Sequence, residues 1–139
     1  MTLHIIKLSV GVETVEQIEA LQRERRKRYG EIFHRTFQVP KKLDEVLDGG
    51  SMYWVVKGFV RARQKLLRID ALEPPVDGKR CAFVLHPKLV RTELQARRPH
   101  QGWRYLRPQD APRDLKPGEK SDAALPPELA AELRALGLL

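Results

Sequence analysis

The chain has 139 residues, 42% of them hydrophobic and 32% charged, which provides for one compact domain and argues against a membrane protein. No apolar run approaches the roughly 20 residues of a bilayer-spanning helix, and the N-terminus lacks the regions of a secretory signal, so a cytoplasmic protein is expected. The net charge of +8 favours a polyanionic partner, the single Cys81 excludes an internal disulfide, and histidines at positions 4, 34, 86 and 100 have no zinc spacing, so neither metal nor cofactor is expected.

Leu3 to Val10 (LHIIKLSV) is a β-branched run stopped by Gly11, and reads as a buried strand. Thr14 caps a helix to which Gln17 can return a bond, with Val15, Ile18 and Leu21 as its apolar stripe. Five bases crowd its last turns (Arg23, Arg25, Arg26, Lys27, Arg28) and Gly30 is the stop. Phe33 to Val39 reads as a short strand, Lys41 to Asp48 as a short helix, and Ser51 to Gly58 (SMYWVVKG) as a strand with Tyr53 and Trp54 on opposite faces. From Phe59 to Leu72 the chain continues extended. Val60, Ala62 and Gln64 alternate with Arg61, Arg63 and Lys65, and the apolar phase changes near Leu66-Leu67, where a bulge is expected. Pro74-Pro75 and Asp77-Gly78 mark a turn. Arg80 to Leu85 has the composition of a central strand, His86-Pro87 interrupts it, and Leu89 to Leu94 resumes. Pro126-Pro127 can open a last helix with Leu129, Leu133 and Leu136 on one side.

These elements predict an α+β fold with a mostly antiparallel, strongly bent sheet, two early helices and a short C-terminal helix. Bulged strands could curl the sheet into a small barrel. Residues 1–107 read as a single globular domain and 108–139 as a proline-rich wrapping tail.

The words YWVVKG (Tyr53–Gly58), Arg63-Gln64 and GWRYL (Gly102–Leu106), within longer stretches reaching from Thr2 to about Leu115, resemble a small bacterial family of unknown function, DUF1489. That resemblance implies no particular activity. The layout is more loosely similar to PUA- and ASCH-like domains, small bent-sheet barrels that often bind RNA or modified bases, which would imply a PUA-like, RNA-binding barrel here.

The charge is unevenly placed: residues 108–139 carry six acids and four bases, leaving 22 bases and 12 acids in residues 1–107. Two groups of candidate nucleic-acid-binding residues stand out. Lys57, Arg61, Arg63, Lys65 and Arg68 fall within twelve residues without an acid, Gln64 lying among them. On an extended strand Arg61, Arg63 and Lys65 would project from one face about 7 Å apart, close to the spacing of phosphates along a strand. The plainer explanation is a charged strand edge kept soluble. The second group interleaves Arg97, Arg98, Gln101, Arg104 and, flanking them, Arg91, His100 and Arg107 with Trp103 and Tyr105, suited to stacking bases while cations hold the backbone. Here the alternative is that the rings lock a loop to the core and the arginines pair with Asp110 and Asp114.

Catalysis has less support. His86, His100, Arg98 and Lys57 could in principle meet to cleave RNA, but no spacing compels it. Cys81 in an apolar strand reads as a core residue, and no glycine loop has the phosphate-cradling pattern. The expectation is a binder of RNA or single-stranded nucleic acid. The alternatives are an adaptor docking an acidic protein and an enzyme acting on nucleic acid or nucleotides.

Overall fold

A computed structural model describes residues 1–116 and Ala135. Strand β1 (His4–Leu8) leads to helix α1 (Val15–Tyr29), strand β2 (Ile32–Thr36), the short helix α2 (Leu43–Val46) and strands β3 (Ser51–Val56), β4 (Phe59–Val76), β5 (Lys79–Ala96) and β6 (Trp103–Leu106). They form one six-stranded sheet in the order β2-β5-β4-β3-β1-β6. The two consecutive hairpins turn on Lys57-Gly58 and Asp77-Gly78, in which both residues take positive φ (50° and 81°, 50° and 79°). Two-residue turns of that hand match the twist of antiparallel strands and favour glycine at the second position.

Helix α1 begins as its sequence dictates. The Thr14 hydroxyl accepts from the Gln17 amide (3.2 Å), and the Gln17 side chain accepts from the Glu13 amide (2.7 Å). The buried stripe is Val15, Ile18 and Gln22, whereas Leu21 is 58% exposed. Gln22 displaces the leucine from the inner face because it has a polar partner there, Gln64. The phase change in β4 is also present: Leu66 is buried and Leu67 exposed, with register irregularities between β4 and β5 on both sides of Leu66.

The sheet is covered on both faces, which explains why neighbouring Ile5 and Ile6 are both buried. One face packs Ile5, Met52, Trp54, Leu66 and Phe83 beneath Ile18 of α1. The other gathers Ile6, Tyr53, Val55, Val60 and Leu106, with Ala111 packed on them from the segment after β6. Tyr53 and Trp54 therefore both belong to the core.

The expected mostly antiparallel, PUA-like barrel is not what forms. The sheet is mixed, because β1 runs parallel to β3. The chain between them passes through α1, β2 and α2, and a crossover of that length returns it in its original direction. The sheet is also open: β2 and β6 are its two edges and share no backbone ladder. Pro74-Pro75 and His86-Pro87 do not end strands but lie within β4 and β5. The ladder has irregularities between Ala71 and Val76, and no pairing falls on Pro87, so neither site demands the amide that proline lacks. The expected helix over Leu129, Leu133 and Leu136 lies outside the described residues.

Candidate nucleic-acid interface

The first group of bases does not make a common face. Arg63 forks onto Asp114 (2.6 and 2.7 Å) and reaches the Ser51 hydroxyl (3.1 Å). The Arg63 guanidinium beside Asp114 holds that carboxyl below its usual range. Arg68 binds Glu31 and Asp70 (2.9 and 3.0 Å), and Lys57 faces Glu13 (3.7 Å). Arg61, the extra residue of a bulge opposite β3, donates to the Val56 carbonyl (2.7 Å). Only Lys65 is both exposed and without a carboxylate partner among the described residues. Gln64 is fully buried and cannot meet a macromolecule.

The second group divides. Arg91 pairs with Glu16 and Glu19, and Arg107 with Asp110. Trp103 is a core residue, 7% exposed, its indole donating to the Gln38 carbonyl (2.9 Å) and its ring edge-on to Phe83 and Tyr105. The Tyr105 hydroxyl accepts from the amides of Lys41 and Lys42 (2.9 and 3.2 Å), the locking role foreseen as the alternative. Arg97 is held by Gln95 and the Asp110 carbonyl. Arg97, Arg98, His100 and Arg104 border an open hollow of about 570 Å³, and neither Arg98 nor Arg104 has a carboxylate partner among the described residues. Both ring nitrogens of His100 are buried without a hydrogen-bond partner, and burial and Arg104 lower its pKa. His86 is engaged elsewhere, its Nδ1 accepting from the Lys88 amide (3.0 Å). Cys81 is buried against the Thr36 hydroxyl (3.2 Å), and burial pushes its thiol up.

A further cationic site takes in Gln101 and Trp103 of the expected residues and is otherwise lined by side chains that the sequence did not single out. The sheet curls until its edges approach each other, and the chain after β2 reaches β6, the Gln38 carbonyl accepting from Trp103 and the Lys41 and Lys42 amides donating to Tyr105. Between the edges lies a cleft of about 370 Å³ bordered by Lys7, His34, Arg35, Lys79, Gln101 and Trp103, with Phe37 at its rim. A second hollow of about 190 Å³ shares Lys7 and His34 and extends beneath α1 to Trp54, Leu21 and Arg25. Val10, Leu21 and Phe37, all strongly exposed apolar side chains, stand around the pair.

Its electrostatics are one-sided. Among the described residues no carboxylate pairs with Lys7, Arg25, Arg35 or Lys79; Arg25 donates to the Phe33 carbonyl, and Lys79 lies over the Phe37 ring. Half-burial and the charge of Lys79 lower the Lys7 pKa. Burial, then Lys7, Arg25 and Lys79, push His34 down to about 3, so its imidazole is neutral at physiological pH. Its nitrogens have no hydrogen-bond partner among the described residues; its ring stands edge-on to Trp54 at 5.6 Å. Lys7 had one visible signal, a lysine inside an apolar strand. Nothing local announced that His34, Arg35 and Lys79 would converge on it.

The fold and site define a small sheet-dominated protein with a cationic, aromatic-walled cleft between the free edges of its sheet. The chain belongs to the family described as Protein of unknown function (DUF1489), which it matches over residues 5–139. No curated protein and no solved structure matches it. Among the described residues no helix is long and apolar enough to cross a membrane, and no group of three metal-ligating side chains occurs.

Proposed function

We propose that this is a cytoplasmic protein that binds RNA or single-stranded nucleic acid at the inter-edge cleft and along the adjoining Arg97–Arg104 segment. One observation carries the reading: Lys7, Arg35 and Lys79 converge on an aromatic-lined cleft with no carboxylate partner among the described residues, whereas Arg63, Arg68 and Arg91 of the same sheet are each paired with one. Cations left unneutralised beside the exposed Phe37 ring and Trp103, which lines the cleft, suit a backbone of phosphates bearing flat bases. Gln101 borders the cleft and Arg98 and Arg104 the next hollow, giving a strand a path from one to the other.

The test is binding of short RNA and DNA strands across a salt series. Log affinity should fall with log salt by about 0.7 per phosphate neutralised on a single strand, so Lys7→Met combined with Lys79→Ala should shallow the slope by roughly 1.4. Arg68→Ala, which removes a base already paired with two carboxylates, should leave it unchanged. Affinity that ignores salt, or a double variant that binds like wild type, overturns the proposal. Capture of a polyanionic protein without any oligonucleotide binding would favour an acidic protein partner instead.

A further inference from the structure

Resting on that reading, we infer that the inter-edge cleft receives one nucleotide unit, its phosphate between Lys7 and Lys79 and its base against Trp103 and Phe37. The volume, about 370 Å³, falls in the range of small-ligand pockets and leaves no room for paired bases. A strand reaching it must present an unpaired nucleotide. The contents suit such a unit: aromatic rings contribute to the lining, and a few polar groups converge from three different strands and the loop before β6.

Three observations assign the two ends of the ligand. Lys7 is half-buried and faces Lys79 with no carboxylate between them, an arrangement whose repulsion and desolvation an anion would relieve. The cleft also has aromatic lining, with Phe37 beneath Lys79 and the Trp103 ring fixed by its indole bond to Gln38. His34, between the two hollows, offers both a donor and an acceptor, because a neutral imidazole has one of each. A cation could serve only acceptor atoms; a neutral histidine can meet the mixed edge of a base. Arg25, in the hollow beneath α1, then stands where the next phosphate of a strand would pass.

The protein's two tryptophans, Trp54 and Trp103, border the two hollows, so intrinsic fluorescence reports directly on the site. The experiment titrates the full chain with a nucleoside 5′-monophosphate, the matching nucleoside, inorganic phosphate and a short oligonucleotide. The monophosphate should perturb the fluorescence and bind at least about tenfold more tightly than either the nucleoside or phosphate alone. Lys79→Ala should lower its affinity about tenfold, and Arg80→Ala, one residue along on the same strand, should not. Lys7→Met tests the same contact from β1, with circular dichroism verifying the fold. Displacement of a bound oligonucleotide by the monophosphate supports occupation by a unit of a strand; binding without displacement supports a free nucleotide. Equal affinity for monophosphate and inorganic phosphate overturns the inference, since the base would then not be held. Salt-dependent oligonucleotide binding with no response to the monophosphate overturns it too, while leaving the nucleic-acid reading intact. Failure of both ligands overturns both.

Discussion

Gln64 illustrates how much one side chain can decide. It is fully buried, and its amide is saturated: the oxygen accepts from Gln22 (2.8 Å) and Trp54 (3.2 Å), while the nitrogen donates to Gln22 (2.7 Å) and the His86 carbonyl (2.8 Å). This network stitches α1, β3, β4 and β5 together. Gln64→Leu would leave Trp54, Gln22 and His86 with buried polar atoms unpaired, each costing about 1–3 kcal/mol in isolation. We expect a net loss of about 3 kcal/mol in urea unfolding, and a smaller loss than the sum of the single variants when Gln22→Leu is added. A Gln64→Leu protein as stable as wild type would refute this account. Alternation with Ala62 and against Arg63 places Gln64 on the inner face, although the bulge at Arg61 sends Val60 to the other face, a break that the alternating pattern did not show. The Arg63-Gln64 pair invited a shared surface role that alternation forbids.

At the scale of elements, local chemistry was readable and long-range pairing was not. The cap at Thr14, the turn at Asp77-Gly78 and the phase change at Leu66-Leu67 follow from a few adjacent residues, and all three are present. The parallel pairing of β1 with β3 joins positions more than forty residues apart, and the opposition of edges β2 and β6 joins still more distant ones; no periodicity encodes either. The same limit hid the cleft, whose charged residues come from three strands. One residue marks where these distant elements meet. Gly50, between α2 and β3, lies so close to the Val46 and Leu3 carbonyls that a Cβ would collide with both oxygens. Main-chain atoms at a junction of a helix and two strands cannot step aside as a flexible side chain would. Gly50→Ala should therefore cost about 3 kcal/mol and lower the thermal midpoint by on the order of 10 °C in a scanning calorimeter. An unchanged midpoint would mean that α2 is free to shift against β1.

Over the whole molecule, charge is partitioned. The segment after β6 lays Asp114 on Arg63 and joins the outer edge of β5 through main-chain bonds between Glu93 and Arg113 and between Leu115 and Arg91, so that face is neutralised in part from within, Arg98 and Arg104 staying without a carboxylate among the described residues. The opposite face keeps its cations around the cleft. This partition determines how the fold responds to acid. His34, His4 and His100 all have pKa values below the ordinary histidine value of 6.5, through burial first and then through cations: Lys7, Arg25 and Lys79 for His34, Arg63 for His4, Arg104 foremost for His100. A histidine whose folded pKa lies below its unfolded one binds fewer protons in the folded state. Its contribution is complete above pH 6.5 and is lost as pH falls towards the folded value, about 3 for His34. Asp114, also lowered, loses its contribution only at more acid pH, below the ordinary aspartate range. The interval from pH 7 to pH 5.5 therefore isolates the histidines, and His34, the most buried, should account for about 1 kcal/mol of destabilisation there. Urea unfolding at the two pH values should reveal this loss, and His34→Gln should reduce it by about that amount. A loss of the same size in the variant would place the proton elsewhere and mean that Lys7, Arg25 and Lys79 do not act on His34 as their positions require.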